Sequence, residues 1–129
     1  MNTYYCSLSK ALTVLRPGAQ WAMSNDNYDE IQWMDEIQEK PSREECLQKM
    51  EELRVEEPMR LLRIMRNTRL DQCDKRTLPD YPHKNDMERE AWLQYRIALR
   101  DLPGISSPTL NDMGLLDMSS VVWPQEPQV

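Results

Sequence analysis

The chain has 129 residues, with 16 basic and 22 acidic side chains for a net charge of −6, and hydrophobic residues make up 40% of it. That is room for one domain, or for one small module with a helical extension, and a core this modest would be helped by a partner or by self-association. The acidic balance argues against nucleic-acid binding, which draws its affinity from Lys and Arg displacing counterions, and no segment approaches the roughly 20 apolar residues that span a bilayer.

The N-terminus lacks the basic stretch followed by an apolar run that marks a signal peptide. Cys6, Cys46 and Cys73 are widely spaced, with no CxxC and no Cys/His cluster, so reduced or buried thiols and an intracellular site of synthesis are expected. Phe is absent, and 9 Met, 4 Trp and 5 Tyr supply the larger apolar contacts. Met is adaptable and suits both irregular cores and surfaces that re-pack against a partner.

Ser7 to Leu15 reads as a helix, with Leu8, Ala11, Leu12 and Leu15 at helical spacing, stopped by Pro17-Gly18. Two short strands follow, Gln20–Ser24 and Glu30–Met34, around the turn-forming Asn25-Asp26-Asn27. Ile31 and Trp33 alternate with polar residues as a half-buried strand requires, and Trp21 and Trp33 are expected in one small core. Residues 1–40 thus form a small αββ module.

Ser42 and Glu45 make a capping box that opens the next helix. Leu47, Met50 and Leu53 follow at helical spacing, and Leu61, Leu62, Met65 and Leu70 resume the apolar stripe after Pro58. Proline removes a donor and clashes with the preceding turn. The segment is therefore either one kinked helix or, as preferred, two helices meeting at a sharp bend. The Arg60, Arg63, Arg66 and Arg69 stripe offers a nucleic-acid contact of the kind a regulatory protein would use, but nearby Asp and Glu favour a solvated or salt-bridged face. Cys73–Lys84 is a loop with Pro79 and Pro82. Asn85 and Glu88 repeat the capping pattern for a third helix to about Asp101, with Trp92, Tyr95, Leu99 and Leu102 on one face, ended by Pro103-Gly104. Residues 105–129 read as an extended or partly disordered tail whose one adhesive point is Val121-Val122-Trp123. The expected fold is α+β: a helix plus β-hairpin module (1–40), a helical hairpin (41–104) and an extended tail (105–129).

A catalytic centre needs convergent groups of tuned proton affinity. His83, the single histidine, reads as an exposed loop residue. No GxSxG is present, Gly18, Gly104 and Gly114 build no phosphate loop, and the glutamates between Glu44 and Glu57 read as helix surface. No enzyme, cofactor or metal site is expected.

Three strings in the C-terminal half stand out. They are Leu62-Arg63 with Arg66-Asn67-x-x-Leu70-x-x-x-Asp74, then Trp92-x-x-Tyr95-Arg96-x-x-Leu99-Arg100-Asp101-Leu102-Pro103, then Val122-Trp123-Pro124-x-x-Pro127. Together they resemble the phage tail assembly chaperone-like domain. The family usually places Trp directly after the aspartate at position 74, where this chain has Lys75, so one aromatic anchor is missing. Ala11-Leu12 with Leu15-Arg16-Pro17-Gly18-Ala19-x-Trp21, Tyr28, Ile31-x-Trp33 and Lys40-Pro41-Ser42 are similar to a small XkdW-like phage module often found ahead of it.

The residues make physical sense beside the resemblance. Leu62, Met65 and Leu70 offer a stripe to Trp92, Tyr95 and Leu99 across an antiparallel hairpin, and Val122-Trp123-Pro124 can fold back over it. Arg96 and Arg100 can pair with Asp74 or Asp101, either as an internal clasp or as a polar rim facing a partner. The expected partner-binding set is Trp92, Tyr95, Arg96, Leu99, Arg100, Trp123 and Pro124. The resemblance implies a non-enzymatic protein that binds a tail-fibre or other phage tail protein during assembly in the host cytoplasm. The alternative is a permanent minor subunit of the virion tail, fibre or baseplate. No membrane partner is expected, and homo-oligomerisation is left open.

Overall fold

A computed structural model describes residues 6–128. The chain falls into two compact units divided between Glu57 and Pro58.

In the N-terminal unit, helix α1 spans Leu8–Leu15, and the Ser7 side chain caps it by accepting from the Lys10 amide. Gly18, at φ +76°, supplies the left-handed turn that leads the chain away. Strands β1 (Trp21–Met23) and β2 (Ile31–Trp33) pair antiparallel with Trp21 opposite Trp33. They are shorter than the sequence suggests. Tyr28–Glu30 forms a 3-10 turn, capped where the Asn27 side chain accepts from the Asp29 amide, and this takes Glu30 out of the second strand. Leu8, Leu12, Ile31 and Cys46 form the core, with Trp21, Trp33, Tyr28 and Met50 packed against it.

Helix α2 runs from Arg43 to Cys73. Its capping box is made in both directions, the Glu45 amide donating to Ser42 Oγ at 3.1 Å and the Ser42 amide to Glu45 Oε1 at 3.2 Å. Pro58 lies inside the helix, which corrects the preferred reading of two segments meeting at a sharp bend. Proline's fixed φ is itself helical, so the local loss is one donor and a steric strain. A helix with good turns on both sides absorbs that loss.

The C-terminal unit begins at Pro58, inside α2. A 3-10 turn (Asp74–Thr77) and a loop lead to helix α3, Asp86–Ile105. The Asn85 side chain caps α3 by accepting from the Glu88 amide at 2.8 Å. The helix continues through Pro103-Gly104, correcting the expected stop there, and the Ser106 hydroxyl donates to the Leu102 carbonyl at 2.6 Å just beyond its end.

Two apolar clusters fill this unit. Leu62 and Leu102 pack with Leu116 and Val121 of the C-terminal segment. Cys73 packs with Trp92, Tyr95 and Leu99, and Trp123 packs against both clusters. The segment after α3 is therefore tied down at more than one adhesive point. Leu110 bridges Leu116. Between them the Asn111 side chain accepts from the Met113 and Leu115 amides, and Gly114 takes φ +79°. Asp117 then caps a 3-10 turn, Met118–Ser120. Leu116 gave no sequence signal because the segment follows neither the helical nor the strand period.

Candidate protein-binding surface

Of the expected binding residues, the structure draws Trp92, Tyr95, Leu99 and Trp123 into one cluster, and the first three are buried. Trp92 and Tyr95 meet edge to face, with centroids 5.7 Å apart and planes at 88°, a favourable arrangement of ring quadrupoles. The Arg69 guanidinium lies 4.2 Å from the Trp123 ring centroid and that of Arg76 lies 3.9 Å from the Trp92 centroid. Burial pushes the Tyr95 hydroxyl above its ordinary range, and the Glu126 carboxylate adds to the effect.

Arg96 forms the clasp. Its Nη1 donates to the Leu70 carbonyl at 2.9 Å and approaches Cys73 Sγ at 3.1 Å, while Nη2 stands 2.8 Å from Asp74 Oδ1. The guanidinium thus gathers the last turn of α2, where carbonyls lack helical partners and positive charge is favoured. The Arg100 side chain is exposed, and its backbone carbonyl accepts from Arg66 Nη1 at 3.3 Å. Pro124 is half-buried beside Trp123. The arginine stripe on α2 is therefore not simply a solvated face, because Arg66 reaches α3 and Arg69 covers the tail tryptophan.

His83 corrects an expectation. Its side chain is 0% exposed, with Nε2 2.9 Å from the Arg76 carbonyl oxygen and Nδ1 3.4 Å from Glu88 Oε1. Its ring also meets Tyr81 at 4.7 Å between centroids. The loop between the helices folds down on the start of α3, and the imidazole serves as its tie. Among the described residues, no group of His, Cys, Asp and Glu is placed to hold a metal ion, and no helix is long and apolar enough to cross a membrane.

The large apolar side chains that the unit presents to solvent are not in the expected binding set, although Val122 belongs to the expected adhesive point. Met113, Leu115, Met118 and Val122, the last 88% exposed, project from the turns of the C-terminal segment. Leu93 and Ile97 on α3 and Ile64 on α2 are also exposed. The sequence hint was faint: apolar residues flanking Gly114 in a segment otherwise rich in turn formers. The segment 105–128 carries Asp112, Asp117 and Glu126 and no Lys, Arg or His.

These elements define an α+β protein whose C-terminal unit is a helical hairpin closed by its own final segment. Residues 59–128, more than half of the chain, match the family described as phage tail assembly chaperone protein, and the chain belongs to that family. The match begins one residue after the boundary of the C-terminal unit. No curated protein and no solved structure matches the chain. Membership gives it a role in phage tail assembly.

Proposed function

We propose that the chain acts in tail assembly as a non-enzymatic, stoichiometric binder that holds a tail-fibre or other tail component in the host cytoplasm until assembly is complete. The observation that carries this reading is the set Met113, Leu115, Met118 and Val122, held out on turns that Asn111 and Asp117 pin from within. Water-exposed Met, Leu and Val gain free energy when covered, and pinned turns lose little entropy on binding. Two methionines let the patch adapt to its partner.

In this reading the residues first expected to touch the partner divide by role. Trp92, Tyr95 and Leu99 form the buried cluster on which Trp123 anchors the C-terminal segment, while Leu116 and Val121 seat the display residues on Leu62 and Leu102. Arg96 clasps the hairpin, and Arg100 and Pro124 lie at the rim. A permanent place in the tail, fibre or baseplate is the second reading; the C-terminal segment packs on its own chain, so its order does not by itself call for one.

Co-expression with the tail proteins of the same phage, followed by size-exclusion chromatography, tests the proposal. A stable complex that V122D or M113D dissolves, with the fold retained by circular dichroism, is the expected result. Complexes untouched by both variants would remove the patch from consideration. The protein composition of purified particles separates the two readings: absence favours the chaperone, and a copy number matching tail symmetry favours the subunit.

A further inference from the structure

The N-terminal unit lies wholly outside the family match, yet it presents a feature that its own packing does not use. Ile37 is 95% exposed and Met34 is also exposed. Both line one shallow surface depression with Gln20, Asp35 and Glu36. A single exposed apolar residue is ordinary, but this one is held in place from several directions. Asp35 Oδ1 accepts from the amides of Ile37 at 2.9 Å and Gln38 at 2.7 Å, and Oδ2 accepts from the Gln20 amide at 2.9 Å. Trp33 Nε1 donates to the Gln38 carbonyl at 2.9 Å, and Gln38 Nε2 donates to the Pro17 carbonyl at 2.9 Å. Five hydrogen bonds therefore fix a loop that offers two apolar side chains to solvent.

Charge indicates what kind of surface would meet it. This unit holds 12 of the 22 acidic and 6 of the 16 basic side chains, and so the whole net charge of −6, while the C-terminal unit holds ten of each. Asp35 and Glu36 lie in the loop itself, and Glu39 follows directly.

We propose that the loop Met34–Gln38 is a second docking site, which seats Ile37 and Met34 in an apolar socket rimmed by Lys or Arg on a partner protein. The two units then give the chain two binding surfaces of different character. The C-terminal patch adapts through methionine. The N-terminal knob is rigid and selects by charge, since a socket rimmed by acids would be repelled. A chain with two such surfaces can hold two proteins near each other without any catalytic step.

The test places a photoreactive benzoylphenylalanine at position 37 of the full chain during phage production, with the same residue at the exposed Thr13 as control. The expected result is a light-dependent adduct, specific to position 37, that mass spectrometry maps to an apolar surface bordered by Lys or Arg. With that protein purified, I37D should weaken binding roughly ten- to hundredfold, as loss of a buried isoleucine implies. Added salt should weaken it further, and V122D should leave it unchanged. Equal adducts from positions 13 and 37, an adduct only with another copy of this chain, or wild-type affinity in I37D would each overturn the proposal. A complex lost with V122D and indifferent to I37D would also overturn it while supporting the C-terminal surface. Circular dichroism of I37D checks the fold, which a side chain so exposed should not disturb.

Discussion

Arg69, on the second helix, lies over the indole of Trp123, its guanidinium 4.2 Å from the ring centroid. Residues 54 positions apart in sequence are thereby joined, and the contact holds the C-terminal segment on the helical hairpin. A cation over a tryptophan face contributes about 0.5–2 kcal/mol, more as it is desolvated. Arg69→Ala should lower the urea midpoint of unfolding by an amount in that range, and Arg69→Lys should recover part of it.

Leu99 and Leu93 lie on the same helix with opposite fates. Leu99 is fully buried, and Leu93 is more than a third exposed. Leu99→Ala should cost about 2–5 kcal/mol, the usual range for a core leucine, whereas Leu93→Ala should change stability by about 0.5 kcal/mol or less. Denaturant unfolding of the two variants measures the difference directly, and equal effects would contradict the assignment of the helix faces.

Pro58 sits within a continuous helix. Proline in a helix interior is about 3 kcal/mol less favourable than alanine, so Pro58→Ala should raise the melting temperature. It should also increase amide protection around Arg54–Leu62 in hydrogen exchange. A loss of stability would mean that the chain needs a break there.

Asp35 should govern part of the acid response of the N-terminal unit. The amides of Gln38, Gln20 and Ile37 donate to its carboxylate and hold its pKa below the ordinary 3.8. A carboxyl whose pKa is depressed by folding contributes stability that is complete above its unfolded pKa and lost as pH falls through the folded value. Asp35→Asn should therefore flatten the dependence of melting temperature on pH below about 4, in the carboxylate range. An NMR titration of the carboxyl carbon should show it ionising below the exposed aspartates.

His83→Ala removes both hydrogen bonds of the buried imidazole and its contact with Tyr81. Amide exchange should quicken across residues 76–84 while α2 and α3 keep their protection, because the ties lost belong to the loop. Uniform loosening would show that the loop and helices unfold together.

Much of the architecture was legible because the signals are local. Ser42 with Glu45 and Asn85 with Glu88 announce helix starts through bonds that close within one turn. Trp92, Tyr95, Leu99 and Leu102 announce a buried helix face through period alone. The family motif also lies in contiguous strings. Pro58 and Pro103 misled because a proline's effect depends on the strength of the helix around it, which no single position reports.

The sequence by itself determined where helices begin, which of their faces is apolar, and that the chain is acidic overall. Tertiary structure alone decided which apolar residues are covered. Trp92 and Tyr95 went inside, His83 followed them from its loop, and Leu116 was drawn in from an aperiodic tail. Ile37, Val122 and Met113 were left in water. Burial depends on contacts between residues far apart in the chain, and a side chain's own hydrophobicity does not say whether a distant segment will fold back to cover it.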